Sequence, residues 1–496
     1  MNPSLTQCYK FCFDNFCLIS AHGVGGFSQS FSSLDICRFC HCQYKDLQDN
    51  IHSYGSKQHG KWTEEEYDQA ALQVENSREN DSTTNRGYYD DSSSSEDIGT
   101  SGDETDVEND SEDETNVELY GVKHRCPLNS LQAFHCTSGF PPDILHDIFE
   151  GVVSQDLLGI IRILKVKGWF TIAEYNSNLK VLKYKSNEAS DKPESVPESM
   201  KVKKLIGKAV SNWTHLRNFP LLIRKFIKDK DEPALALGLQ LHEIVERITA
   251  NEFRMFEVNV LEERIIEFLD YRQKLFTDYP ALLGNPKPKT HNLTHYPEAI
   301  VNYGPPMNYW TARYESRHRI GKSTAEASKN FKNISLTLAT RQQLRLSSVY
   351  YHGMFDTDEL VISDKVMYKK DLGGSTELEK SMMPFVSDDD FICGEVVFRN
   401  QVYNKGDLVV MKVFNQDELK VGLVICILVR NNTVFFVVKE FLAKRNWLRF
   451  FKGYSENAVM SIIDAKHLGD YKPLNYQGTA SHPYFCLHHH VSHSFD

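Results

Sequence analysis

The sequence lacks any run approaching the roughly 18 apolar residues that a membrane-spanning helix needs. Met1 to Phe27 also lacks the basic start, long apolar stretch and small-residue cleavage site of a signal peptide. No membrane partner and no secretion are expected, which leaves nucleus or cytoplasm. An even cysteine framework is missing as well: the eleven cysteines are an odd number scattered from Cys8 to Cys486, a usage that predicts a reducing compartment. The NxS/T matches at Asn80, Asn212, Asn292, Asn333 and Asn431 are then fortuitous. There is no GxSxG and no cysteine in the context of a nucleophile, which argues against a Ser or Cys hydrolase.

Lys and Arg are absent from residues 90 to 118, which hold thirteen Asp or Glu. The net charge of −11 therefore misleads, because removing those thirteen charges leaves the rest of the chain near +2. Nucleic acid stays open as a partner. With 496 residues the chain is long enough for two or three domains, and 41% hydrophobic with 11% aromatic residues fits globular cores.

Residues 1–74 hold a strand candidate, YKFCF, ending at Asp14-Asn15, then a Gly-rich turn, HGVGGF, and a cysteine cluster, CRFCHC. Residues 75–122 are rich in Ser, Asp, Glu, Asn and Thr and too poor in apolar groups to offset chain entropy, so they read as an acidic disordered insert. Residues 123–285 read as helical. Asp143 is a good N-cap, Ile148, Phe149, Val152, Val153, Leu157, Ile160, Ile161 and Leu164 form a broad apolar face, and helices are predicted over about 203–228, 233–250 and 257–277. Residues 286–349 carry a histidine pair and a Glu-bearing helix, and 350–384 read as a linker. From 385 to 496 the period becomes two, with a turn at Asn431-Asn432, which predicts a small antiparallel barrel or sandwich. His488, His489, His490 and His493 at its end read as a polar strand end in preference to a metal site.

Cys37-Arg-Phe-Cys40 can give one tetrahedral zinc two thiolates, and KTHNLTHYP sets His291 and His295 four residues apart. Together they make a Cys2His2 set, although the separation of about 250 residues falls outside the usual finger spacing. Two histidines that merely share a helix face are the plain alternative. Glu315 follows in GPPMNYWTARYESRHRIGK, with Arg313, Arg317, Arg319 and Lys322 around it. A carboxylate in a basic stripe suits a divalent cation with phosphates nearby, and equally an ion-paired surface helix.

The order Asp14, Cys37-x2-Cys40, FPPDILHDIFEGV, His291-x3-His295, Glu315 resembles the second half of an RNase H-like DDE transposase, in particular transposon-derived animal proteins related to CACTA elements, with a zinc layout similar to Transib transposases. DNFCLISAHGVGGFSQSFSSLDICRFC, KPKTHNLTHYPEAIVNYGPPMNYWTARYESRHR and NFKNISLTLATRQQL complete the likeness, which spans about residues 14–344. The resemblance implies an α+β fold: an incomplete RNase H-like core, a large all-helical insertion, and a C-terminal β-barrel-like domain. It also implies Asp14 as the second and Glu315 as the third catalytic acid, Cys37, Cys40, His291 and His295 as ligands of a structural zinc, Asp143 and His146 as a DxxH element, and DNA contacts from Arg313, Arg317, Arg319 and Lys322. Two departures stand out: Phe13 occupies the place of a glycine before Asp14, and the first acid is missing from the sequence. Magnesium or manganese is therefore expected only if a catalytic site is completed. The expected function is DNA binding by a transposase-derived protein that does not cut DNA as it stands; the alternative is a non-catalytic, zinc-structured nuclear interaction scaffold. Both leave room for self-association and for a protein partner of the β domain.

Overall fold

The computed structural model describes residues 18–28, 35–49, 59–84, 121–184, 186–329, 333–352, 360–362, 366–372, 376–454 and 459–491, and it divides into two compact units, Met1–Phe140 and Pro141–Asp496. Asp14 and the strand candidate YKFCF lie outside the described residues. The first unit is held by the helix Glu64–Thr84. Thr63 starts it: its hydroxyl accepts from the Glu66 N–H while the Glu66 carboxylate accepts from the Thr63 N–H, a reciprocal cap. Tyr67, Ala70, Ala71 and Val74 then fall on one buried face at helical spacing. The Tyr67 hydroxyl donates to the Gly25 carbonyl at 2.7 Å and accepts from the Cys126 N–H at 2.9 Å, which fixes two loops to the helix. A Cβ on Gly26, at φ +73, would stand 1.8 Å from the His124 carbonyl oxygen, so only glycine fits there. The helix reaches Thr84, inside the stretch that composition assigns to the acidic insert, because the cap and apolar face carry it on.

The second unit joins a helical part to a β part. Asp143 caps a π-helix, Ile144–Val152, which runs directly into the helix Val153–Val166. The latter is buried along most of its length among the helices Ala209–Ile223, Pro233–Ile248 and Met255–Asp278. These lie close to the spans expected from periodicity, except that Lys203 to Lys208 form a loop. Inside this bundle Arg272 binds Asp156 with two bonds of 2.8 Å, and both side chains are buried.

All described strands lie between Val361 and Phe485 and all pair antiparallel, in a curled half-barrel sheet and a small three-stranded sheet. Its centre is the hairpin Glu418–Arg430 and Thr433–Arg445. Asn431 and Asn432 turn it with φ of 49° and 60°, a two-residue turn that both asparagines tolerate. The stretch assigned to a linker supplies the two-residue strands Val361–Ile362 and Val366–Met367, which pair with Glu395–Phe398 and Phe391–Cys393. Two residues are too few to show an alternating pattern. The β part meets the helices through charge: Arg445 grips the buried Glu246 with bonds of 2.8 and 2.6 Å. The C-terminal histidines also dock there. His488 Nε2 donates to the Pro473 carbonyl, His489 faces Asp470 and Asn251, and His490 lies 3.4 Å from Glu257. They are spread over separate partners, and His493 lies outside the described residues.

Candidate metal centre and the Asp143–His146–Glu315 constellation

Cys37 and Cys40 are buried in the first unit and His291 and His295 are buried in the second, and each of the four offers one ligand atom. The set is of the kind that binds zinc. A tetrahedral zinc with ligands at about 2.0–2.3 Å would hold the four atoms about 3.3–3.8 Å apart.

The histidine half owes its shape to proline. Pro288 opens the short helix Pro288–Asn292, and Pro297, which has no N–H, cannot bond the Leu293 carbonyl. The chain tightens to a 3-10 turn over Leu293–His295, where the Tyr296 N–H takes that carbonyl. His291 and His295 consequently face each other with Nε2 atoms 3.1 Å apart and rings steeply inclined at 79°. A divalent cation suits this geometry, because it accepts both lone pairs where a single proton can serve one. Behind the pair, Asn292 donates to the buried Asp147 at 3.1 Å, which ties the turn to the π-helix.

In the cysteine half the Phe39 N–H donates to Cys37 Sγ at 3.4 Å, an N–H···S bond of the kind that stabilises a thiolate. The Cys37 thiol and then burial push the Cys40 thiol far up. Two thiols this close and this buried cannot both ionise unless a cation sits with them. The residues present therefore fit zinc.

Glu315 stands apart from these ligands in a different constellation. It lies in the first turn of the helix Ala312–Ser328, exposed, with Oε1 3.1 Å from His146 Nε2. His146 Nδ1 in turn lies 2.5 Å from Asp143 Oδ2. The π-helix makes this possible: its inward face buries Ile144, Leu145, Asp147, Ile148, Phe149 and Val152, while His146 and Glu150 point outward. Thr311 anchors the Glu315 helix. It makes no side-chain cap of its own helix; its N–H donates to Asp143 Oδ1 at 3.0 Å and its hydroxyl to Asp143 Oδ2 at 2.7 Å.

Burial opposes charge on both members of the Asp143–His146 pair, and their mutual bond overrides it. Asp143 is held below the usual carboxylate range by His146 and Thr311. His146 is raised to about 9 by Asp143, with Glu150 and Glu315 adding attraction. At neutral pH the imidazolium thus donates to Asp143 on one side and to Glu315 on the other. Both Asp143 oxygens are spent on Leu145, His146 and Thr311. A two-metal site needs acids with open lone pairs, and among the described residues this one does not fit.

The basic stripe is described in part: Arg313 and Lys322 are exposed, while the side chains of Arg317 and Arg319 lie outside the described residues. Glu150, four residues after His146 in FPPDILHDIFEGV, carries no motif signal in the sequence, and the place of Thr311 before a helix suggests only a cap. Compared with protein-family models, curated proteins and solved structures, the chain matches none significantly.

Proposed function

We propose that this chain is a transposase-derived DNA-binding protein, in which a partial RNase H-like core is structured by zinc on Cys37, Cys40, His291 and His295. The observation that supports this is that each half of the set is buried and shaped as a ligand pair, Cys37 with Cys40 and His291 with His295, while the order of CxxC, DxxH, HxxxH and Glu315 along the chain resembles that family's. Zinc, when bound, supplies cross-linking and no redox chemistry. The chain's own residues do the rest: Asp143, His146 and Thr311 hold the helix that carries Glu315, and Arg313 and Lys322 face solvent where phosphates would lie. Glu315 pairs with the His146 imidazolium at 3.1 Å, and on this reading the chain binds DNA without cutting it.

A second reading, a non-catalytic nuclear interaction scaffold, is favoured by one observation: the DxxH element is wholly engaged in holding a helix. Salt separates the two. If Arg313 and Lys322 meet phosphates, duplex binding followed by fluorescence anisotropy falls steeply from 50 to 200 mM salt, and Arg313→Ala or Lys322→Ala each lowers the log–log slope by about 1. A flat salt response overturns DNA binding in favour of the scaffold. Cys37→Ser and His295→Ala should each lose about one zinc per chain by elemental analysis. Plasmid nicking with magnesium or manganese, abolished by Glu315→Ala, would refute the non-cutting assignment.

A further inference from the structure

We propose a second zinc site, formed by Cys42, Asp46 and His59 within the first unit. One ligand atom from each lies within 4.8 Å of the others; Cys42 is fully buried and the other two are partly so. The set mixes sulfur, carboxylate oxygen and imidazole nitrogen, which suits zinc and disfavours the hard cations that take oxygen alone.

The geometry distinguishes this cluster from a fortuitous polar contact. His59 Nδ1 lies 3.8 Å from Asp46 Oδ2, too long for a hydrogen bond. It is close to the roughly 3.3 Å between two ligands of one tetrahedral zinc. The same Asp46 oxygen accepts the Gln43 N–H at 2.8 Å, which aims the carboxylate as an outer bond to a ligand does. Capping of the helix Tyr44–Asp49 accounts for that bond. It does not account for a buried thiol and an imidazole gathered at the same carboxylate. Cys42 also divides its roles: its N–H hydrogen-bonds the Cys40 sulfur, while its own sulfur lies against the Gln43 carbonyl at 3.7 Å, beside Asp46 and His59.

Spacing adds a further argument. Cys42-x3-Asp46-x12-His59 places all three ligands close together in sequence, a compact separation like that of zinc fingers. Three protein ligands leave a fourth position for water or for an incoming group. The site does not depend on DNA binding or on the four-residue centre.

The test uses the full chain, stripped with a chelator and reloaded with zinc or with cobalt(II). Wild type should hold about two ions per chain, His59→Ala and Cys42→Ser about one each, and Cys37→Ser about one from the second site alone. Zinc content in His59→Ala and Cys42→Ser equal to wild type, with Cys37→Ser losing its ion, overturns the proposal and leaves the first site standing. Loss only in the Cys42 and His59 variants, with Cys37→Ser unchanged, supports the second site and sinks the first. Should Cys37→Ser fail to fold, the cobalt spectrum of His59→Ala decides. It should lose about a third of the thiolate-to-cobalt intensity, one sulfur of three, and an unchanged spectrum refutes the site.

Discussion

Asp143 and Thr311 are the bond between the π-helix and the helix that carries Glu315, and their coupling can be measured. Asp143→Ala removes the cap on Leu145 and His146, worth about 1 kcal/mol. It also strands the buried Thr311 N–H and hydroxyl, each of which costs about 1–3 kcal/mol when left unmade. The total should fall at about 3–7 kcal/mol. Thr311→Val removes only the hydroxyl bond to a carboxylate and keeps the backbone one, so it should cost about 1.5–3 kcal/mol. In the double variant the shared bond is counted once, and the two costs should fall short of additivity by about 1–2 kcal/mol. Urea denaturation of the four proteins gives the cycle, and hydrogen exchange over residues 312–316 reports whether the helix start loosens. Costs that add to within about 0.3 kcal/mol, with unchanged exchange, would mean that the two side chains do not hold this helix.

Other consequences can be checked more briefly. Burial pushes His215 down to about 3 and His242 down to about 4, below the unfolded value of 6.5. The unfolded chain therefore takes up those protons first, and stability present above about pH 6.5 is lost toward pH 4, at about 1.4 kcal/mol per pH unit for each group. His242→Leu should flatten the measured slope between pH 6.5 and 4.5 by that amount; an unchanged slope refutes the assignment. Arg272→Met leaves Asp156 as a buried lone charge and should cost about 3–5 kcal/mol, whereas Arg272→Met with Asp156→Leu should recover most of it in chemical denaturation. Asn432 sits at φ 60, so Asn432→Val should lower stability by about 1–2 kcal/mol and Asn432→Gly should not. Equal midpoints for the two variants would contradict the turn.

What could be read in advance divides along physical lines. Local chemistry was legible: Asn431-Asn432 announced its hairpin, Pro233 and the apolar periodicity placed the helix Pro233–Ile248, and Asp143 capped where its type predicts. The helix Glu64–Thr84 was not foreseen, and it enters the stretch that composition assigns to the acidic insert because a favourable cap and first turns carry a helix into polar sequence. Strands of two residues hold no pattern at all, so Val361–Ile362 and Val366–Met367 were invisible. The Cys37, Cys40, His291 and His295 set was suggested by ligand chemistry and strengthened by motif order in a resemblance, because nothing local relates Cys40 to His291. Cys42 was hidden for the opposite reason: it sits so close to the CxxC that it reads as part of the same motif.

The DxxH element carries the widest consequence. In an α-helix, positions three apart share a face, and a cap followed by a histidine needs no further purpose. Here the π-helix turns the apolar residues inward and leaves His146 outward with Glu150, where Asp143 reaches it from the cap position and Glu315 meets its other nitrogen. One carboxylate thus does three things: it starts the π-helix, charges the histidine and anchors the Glu315 helix through Thr311. A proton relay requires a group that gives up its proton near neutral pH, and His146, raised to about 9, keeps it. A metal ligand requires an open lone pair, and Asp143 has spent its own on N–H and O–H donors. The chemistry left to this cluster is positioning. Its clearest signature is that Asp143→Ala should loosen the start of the helix Ala312–Ser328 and lower the His146 pKa together, while Glu315→Gln should leave the Asp143–Thr311 bonds intact.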